Sequence, residues 1–135
     1  MRIVAIDYGR KRTGLAASDI TQMIASPVET IETLKLIPFL KSYFLKEPVE
    51  KVIIGLPTDL RGNTTHSTED VKKFIQLFQK EFPNIPIISK DERFTSKMAM
   101  DTMIAGGTSK KYRKDKTNLD KLSAVILLQE YLDYN

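Results

Sequence analysis

Met1–Asp19 reads MRIVAIDYGRKRTGLAASD, and the reading of this stretch decides the fold. Arg2–Ile6 (RIVAI) is β-branched and apolar, which predicts a strand, and Asp7 follows it directly. Tyr8-Gly9-Arg10-Lys11-Arg12 is a tight basic turn, and Thr13–Ser18 (TGLAAS) is a second strand closed by Asp19. Two strands joined by a short glycine-containing loop predict a hairpin. A carboxylate at the end of a buried strand is costly unless something cationic meets it. The candidates are a metal ion, the adjoining Arg and Lys, or both. Glycine lets the backbone turn tightly or lets a phosphate come close. The stretch therefore points to Asp7 holding a divalent metal beside a phosphate. Ordinary Asp-x-Gly turn chemistry makes the same local pattern, so the functional reading depends on partner carboxylates elsewhere.

The 135 residues match one domain, 1–135, long enough to bury a core. With 41% hydrophobic and 28% charged residues the composition is soluble and globular. No apolar run is long enough to cross a bilayer and no secretory signal pattern is visible, so a cytoplasmic protein without a membrane partner is expected. The absence of cysteine excludes a disulfide scaffold and a zinc–thiolate site, and the single histidine, His66, excludes a multi-histidine site. Any metal must be held by carboxylates, which selects Mg²⁺ or Mn²⁺. A net charge of +4 fits a polyanionic partner without demanding one.

Further along, Met23–Thr30 is a weaker strand interrupted by Pro27, hence an expected edge. Ile31–Lys46 carries Leu34, Ile37, Leu40, Tyr43 and Phe44 at helical spacing, with Pro38 forcing a kink or a late start. Val49–Leu56 (VEKVIIGL) is a buried strand followed by a polar loop, Thr58–Thr65. Ser67–Phe82 is a helix, capped by Ser67 or Thr68, with Val71, Phe74, Ile75, Leu77 and Phe78 as its apolar stripe. Ile85–Lys90 is a strand ending at Asp91-Glu92-Arg93-Phe94. A helix from Thr95 or Ser96 to about Ala105, a basic loop Thr108–Thr117 and a final helix Asn118–Tyr134 complete the chain. The order β-β-β-α-β-α-β-α-α predicts an α/β domain with one five-stranded mixed sheet: a three-strand antiparallel meander plus parallel strands, flanked by helices.

Three carboxylates fall at element ends: Asp7 after the first strand, Glu92 after the last, and Asp120 in the expected first turn of the last helix. Carboxyl ends of parallel strands are where α/β proteins place their sites. Gathered there, the three could hold two Mg²⁺ ions about 4 Å apart across a phosphodiester. Singly, Glu92 reads as part of a solvated triplet and Asp120 as a complement to the helix dipole. Asp91 points the other way from Glu92 along an extended chain. Lys110, Lys111, Arg113 and Lys114, with Arg10, Lys11 and Arg12, could rim the carboxylates and bind a phosphate backbone. A solvated loop is the plainer reading of that charge run.

Ala5-Ile6-Asp7-Tyr8-Gly9-Arg10-Lys11-Arg12-Thr13-Gly14-Leu15-Ala16 resembles the opening motif of the YqgF-type, Holliday-junction-resolvase-like family, whose members are also called pre-16S rRNA nucleases. Gly55-Leu56-Pro57 with Gly62, Asp91-Glu92-Arg93-Phe94-Thr95-Ser96, and Asp120-Lys121-Leu122-Ser123-Ala124 resemble three further family segments in order. The resemblance implies an RNase H-like fold and Mg²⁺-dependent nuclease chemistry carried by Asp7, Glu92 and Asp120. It adds Arg93 to the expected nucleic-acid contacts. It implies a bacterial-type cytoplasmic protein acting in ribosome biogenesis at the 5′ end of pre-16S rRNA. The leading substrate is structured RNA, with branched DNA as the alternative, and a monomer or weak homodimer is expected. Arg61 and Ser123 depart from the family pattern, which has Asp or Asn and Ala there. A small actin-like phosphotransferase would need a second phosphate-binding domain, for which the chain has no room. A non-catalytic RNA-binding assembly factor would gain nothing from clustering like charges.

Overall fold

The computed structural model describes residues 1–56, 66–91 and 116–134. In chain order these form β1 (Arg2–Asp7), β2 (Arg12–Ser18), β3 (Ala25–Glu32), a 3-10 turn (Thr33–Lys35), α1 (Leu36–Lys46), β4 (Val49–Leu56), α2 (His66–Glu81), β5 (Ile87–Asp91) and α3 (Lys116–Tyr134). The strands make one five-stranded sheet in the order β3-β2-β1-β4-β5. β1 is antiparallel to β2 and parallel to β4, and β4 is parallel to β5. The mixed sheet expected from the sequence is therefore present. The expected helix between Thr95 and Ala105, and the loops at 57–65 and 106–115, lie outside the described residues.

β1 sits at the centre because its residues are apolar on both sides. Ile3, Val4, Ala5 and Ile6 are all buried, and a strand desolvated on both faces needs helices on both. Val4 and Ile6 join Val52, Ile54, Leu36, Leu40, Val71, Phe74 and Phe78 in the larger core, under α1 and α2. Ile3 and Ala5 join Ile53, Ala124, Leu127 and Leu128 in the smaller one, under α3. Rings fill the larger core: Phe78 lies 4.9 Å from Phe82 and 6.2 Å from both Phe44 and Phe74, centroid to centroid.

Several boundaries move from their sequence expectations for local reasons. β3 runs to Glu32 and carries a bulge beside Pro27, where the pairing shifts between Leu15 and Ala16. The chain cannot donate from Pro27, so the ladder slips at this edge strand. α1 starts late, at Leu36, which places Pro38 in its first turn where a missing N–H costs nothing. Leu34, expected on the apolar stripe, lies in the 3-10 turn and is 94% exposed; Leu77 is also exposed, at the margin of the stripe of α2. α2 begins at His66, so Ser67 and Thr68 are inside it and neither is its cap. α3 begins at Lys116, which makes Asp120 its fifth residue and takes it out of the first turn. That weakens the reading of Asp120 as a simple dipole complement. Asp19 closes the β2–β3 turn, accepting the N–H groups of Met23 and Ile24 at 2.8 and 2.9 Å and the Thr21 hydroxyl. The Thr21 hydroxyl, then these amides, hold its carboxyl well below the usual range.

Truncating the ring at the centre of the aromatic cluster removes packing that neither helix can replace. Phe78→Ala is expected to cost about 3–5 kcal/mol. Urea unfolding of the two proteins measures it, with an unchanged slope and a lower midpoint.

Candidate nuclease site

Asp7 is the last residue of β1 and is half-buried. Its neighbours on both flanking strands are glycines. On β2 it pairs with Gly14. On β4, Ile6 pairs with Ile54, so Gly55 lies one step on, level with Asp7. Laterally paired residues share a face of the sheet. Neither flanking strand therefore sets a side chain beside the Asp7 carboxylate, and the sheet is bare backbone on either side of it. A glycine in a strand often marks such a close approach.

The face is the one covered by α3, because Asp7 alternates with Ile3 and Ala5, which pack against Ala124, Leu127 and Leu128. Lys90 of β5 pairs with Gly55 and is directed to the same face, with its Nζ 5.4 Å from the Tyr131 ring centroid of α3. Lys51 reaches the same ring and donates to the Tyr131 hydroxyl at 2.9 Å, a bond that raises its pKa. β1 and β5 are separated by β4, so Asp7 and the end of β5 stand two strand spacings apart, about 10 Å. β1, β4 and β5 are thus parallel neighbours, and Asp7 and the end of β5 stand at one edge with Gly55 between them.

α3 runs antiparallel to β1. Near its end, Gln129 accepts from the Ala25 N–H at 2.9 Å and donates to the Met23 carbonyl at 3.1 Å. Ala25 pairs with Ser18, whose hydroxyl accepts the Ile3 N–H at 2.8 Å, so this is the edge where β1 starts. The beginning of α3 lies toward the opposite edge, where β1 ends. Nine residues of helix span about 13–14 Å and the four from Ile3 to Asp7 about 13 Å. Position 120 is thus roughly level with Asp7. Ala124, Leu127 and Tyr131 form the stripe of α3 that packs on the sheet. Ser123, beside that stripe, is buried, and its hydroxyl has no partner among the described residues.

The loop after Asp7 is fixed from two sides. Thr33 donates its hydroxyl to the Gly9 carbonyl at 2.6 Å and its N–H to the Lys11 carbonyl at 2.9 Å. The Thr13 and Thr33 hydroxyls lie 2.9 Å apart. From α2, Phe74 packs its ring 5.0 Å from the Tyr8 ring, and Asp70 accepts from Arg10 Nε at 2.6 Å. Burial first, then the Asp70 charge, pushes the Tyr8 hydroxyl pKa up, so Tyr8 stays protonated at neutral pH.

Of the expected cations, Arg10 and Lys11 are exposed on this loop, and Arg12 opens β2 half-buried. Glu92, Arg93, Lys110, Lys111, Arg113 and Lys114 lie outside the described residues. Sequence reasoning missed Thr33, Asp70 and the flanking of Asp7 by two glycines. Thr33 and Asp70 are distant in sequence, and no spacing signal marks them. The glycines were visible, but their alignment with Asp7 needed the register.

Among the described residues no three His, Cys, Asp or Glu side chains form a metal-binding group. The donor chemistry at this edge, a carboxylate in a chain without cysteine, fits a hard, oxygen-preferring cation.

The family described as RuvX, Holliday junction resolvase, matches residues 1–134. A relative from Flavobacterium psychrophilum named "Putative pre-16S rRNA nuclease" is 51% identical over 131 residues, 97% of this chain and 96% of its own. One of the same name from Bacteroides thetaiotaomicron is 46% identical over 132 residues, 98% and 96% of the two chains. Among solved structures, the Fowlpox virus resolvase in complex with Holliday junction DNA superposes with a TM-score of 0.61 at 18% identity, covering 98% of this chain and 97% of that one. T. thermophilus RuvC in complex with a Holliday junction substrate superposes at 0.59 and 13% identity, covering 99% and 97%. These likenesses establish the RNase H-like fold.

The loop's tightness is testable. A Cβ on Gly9 would stand 2.3 Å from the Arg12 carbonyl oxygen, which is backbone and cannot swing aside. Gly9→Ala is expected to lower stability by about 1–3 kcal/mol, read as a fall in thermal midpoint. With its sheet, its bare-flanked Asp7 and its end-to-end sequence match, the chain belongs to the RuvX Holliday junction resolvase family.

Proposed function

We propose that this protein is a divalent-metal-dependent nuclease that hydrolyses phosphodiester bonds of structured RNA, at the 5′ end of precursor 16S rRNA in the cytoplasm. The observation that carries the reading is Asp7: a half-buried carboxylate at the end of a fully buried strand, with glycine on each side of it. The two flanking strands add no side chain of their own at that level, which favours close approach of a phosphate group and a cation. The names of the pre-16S rRNA nuclease relatives support the substrate class.

Asp7, Glu92 and Asp120 are the residues assigned to hold Mg²⁺ or Mn²⁺. Position 120 is supported by the direction of α3. Glu92 is assigned from the sequence, as the acidic residue that directly follows β5. Bound there, the metal supplies an activated water and neutralises charge on the phosphate. The chain's own contribution is to position and attract. The pinned loop carries Arg10 and Lys11 at the edge of the sheet where β1 ends in Asp7. Arg12, Arg93, Lys110, Lys111, Arg113 and Lys114 are assigned to the phosphate backbone, where contacts orient the strand without reading its sequence. The tight turn at Gly9 and the bonds from Thr33 fix the approach to Asp7, and fixed geometry is itself worth barrier reduction. A monomer or weak homodimer fits a site contained in one chain.

Branched DNA is the second reading, and the family description as a Holliday junction resolvase favours it. Cleavage of a 5′-extended 16S precursor fragment is compared with that of a four-way DNA junction, with and without Mg²⁺. Mg²⁺-dependent cutting of the RNA, lost in Asp7→Asn, is expected. Mn²⁺ should also raise the melting temperature of wild type and not of Asp7→Asn, because relief of carboxylate repulsion requires that site. Equal melting shifts in the two proteins would remove Asp7 from the metal site. Cutting of the junction alone would transfer the activity to DNA.

A further inference from the structure

The hairpin loop and α2 meet in an ion pair whose geometry suits more than stability. Arg10 donates through Nε to Asp70 Oδ2 at 2.6 Å, and its side chain stays 66% exposed while that of Asp70 is 30% exposed. An exposed pair of this kind contributes little to folding, since side-chain entropy and solvent screening offset the attraction. It does fix the plane and direction of the guanidinium. With Nε on Asp70, the two Nη groups form the other edge of the guanidinium, the fork that matches two oxygens of a phosphate. Asp70 is itself held, on a helix whose next turn carries Phe74 against Tyr8. Arg10 is anchored at the backbone, since the carbonyls on either side of it, Gly9 and Lys11, are both bonded to Thr33. The guanidinium is therefore fixed at both ends, three residues from Asp7.

We propose that Asp70 is a positioning residue: it holds Arg10 so that the outward guanidinium edge receives a backbone phosphate of the nucleic acid lying at Asp7. The inference rests on the proposed function for its ligand and adds a residue outside the carboxylate set and the basic segments. Its consequence runs against simple electrostatics. Asp70 is an anion close to a polyanion, so by charge alone its removal should tighten binding. As a positioning residue its removal should loosen binding, because an unrestrained arginine must be ordered at the moment of contact.

The sign of the effect is the test. Binding of a fluorescently labelled structured RNA is measured by anisotropy at about 0.1 M salt for wild type, Asp70→Asn, Arg10→Ala and the double variant. Asp70→Asn is expected to weaken binding by about 3–10-fold, and Asp70→Glu to restore part of the loss. In the Arg10→Ala background the same Asp70→Asn change should no longer weaken binding, and should tighten it slightly through charge alone. Melting temperatures of the variants should stay within a few degrees of wild type. Unchanged or tighter binding by Asp70→Asn with Arg10 present would overturn the inference. So would an equal loss with and without Arg10, which would mean that Asp70 acts through the stability of α2. A wild-type protein that binds neither the RNA nor a four-way DNA junction overturns this inference together with the proposed function. One that binds without cleaving removes only the nuclease reading and leaves the cycle to decide on Asp70.

Discussion

A strand desolvated on both faces has only its ends at which to place a charge. β1 is such a strand: Ile3, Val4, Ala5 and Ile6 are buried, two facing α1 and α2 and two facing α3. An aspartate inside it would cost several kcal/mol unpaired. At its end, Asp7 stays half-buried, where a cation is attracted and water does not fully screen it. The rest of the structure follows from keeping β1 central. β2 returns beside it and β4 lies parallel to it, and each contributes a glycine at the level of Asp7. The proposed site is thus a by-product of how the core is buried, placed where a parallel sheet ends.

The loop that leaves Asp7 shows the same economy. Only a glycine fits at position 9, because the Arg12 carbonyl stands where a Cβ would be. One threonine from the 3-10 turn then satisfies the carbonyls of Gly9 and Lys11. Unsatisfied carbonyls in a half-buried turn would favour other conformations. A basic segment that would otherwise sample many shapes is held in one, with Tyr8 against Phe74 and Arg10 against Asp70. A site carried on so fixed a loop needs little reorganisation when a ligand arrives.

Much of this was legible in the sequence because β1 and β4 are runs of buried residues, RIVAI and VIIGL, and such runs have few alternatives. The sheet, the edge position of β3 and the late start of α1 follow from apolar continuity and from two prolines. Exposure of Leu34 was not legible, since helical spacing continues through it while the backbone is in a 3-10 turn. The start of α3 was placed two residues late because Lys116 and Thr117 look like the end of the basic loop. Asp7 stood out by its position. Its setting did not, because Gly14 and Gly55 become its neighbours only once strand register is fixed. Asp70 carries no signal of its own, because its partner Arg10 is sixty residues away.

Asp7, Glu92 and Asp120 are proposed to act as one unit on a phosphodiester. Groups that share one site lose their effects together, and independent groups multiply them. The direct measurement is single-turnover cleavage of the precursor RNA in Mg²⁺ by Asp7→Asn, Glu92→Gln, Asp120→Asn and their pairwise combinations, with Asp91→Asn beside them. A single site predicts that each of the three singles loses most of the rate, that the doubles are little slower than the singles, and that Asp91→Asn is milder. Losses that multiply in the doubles, or an Asp91→Asn protein that is dead while Glu92→Gln cuts normally, would contradict it.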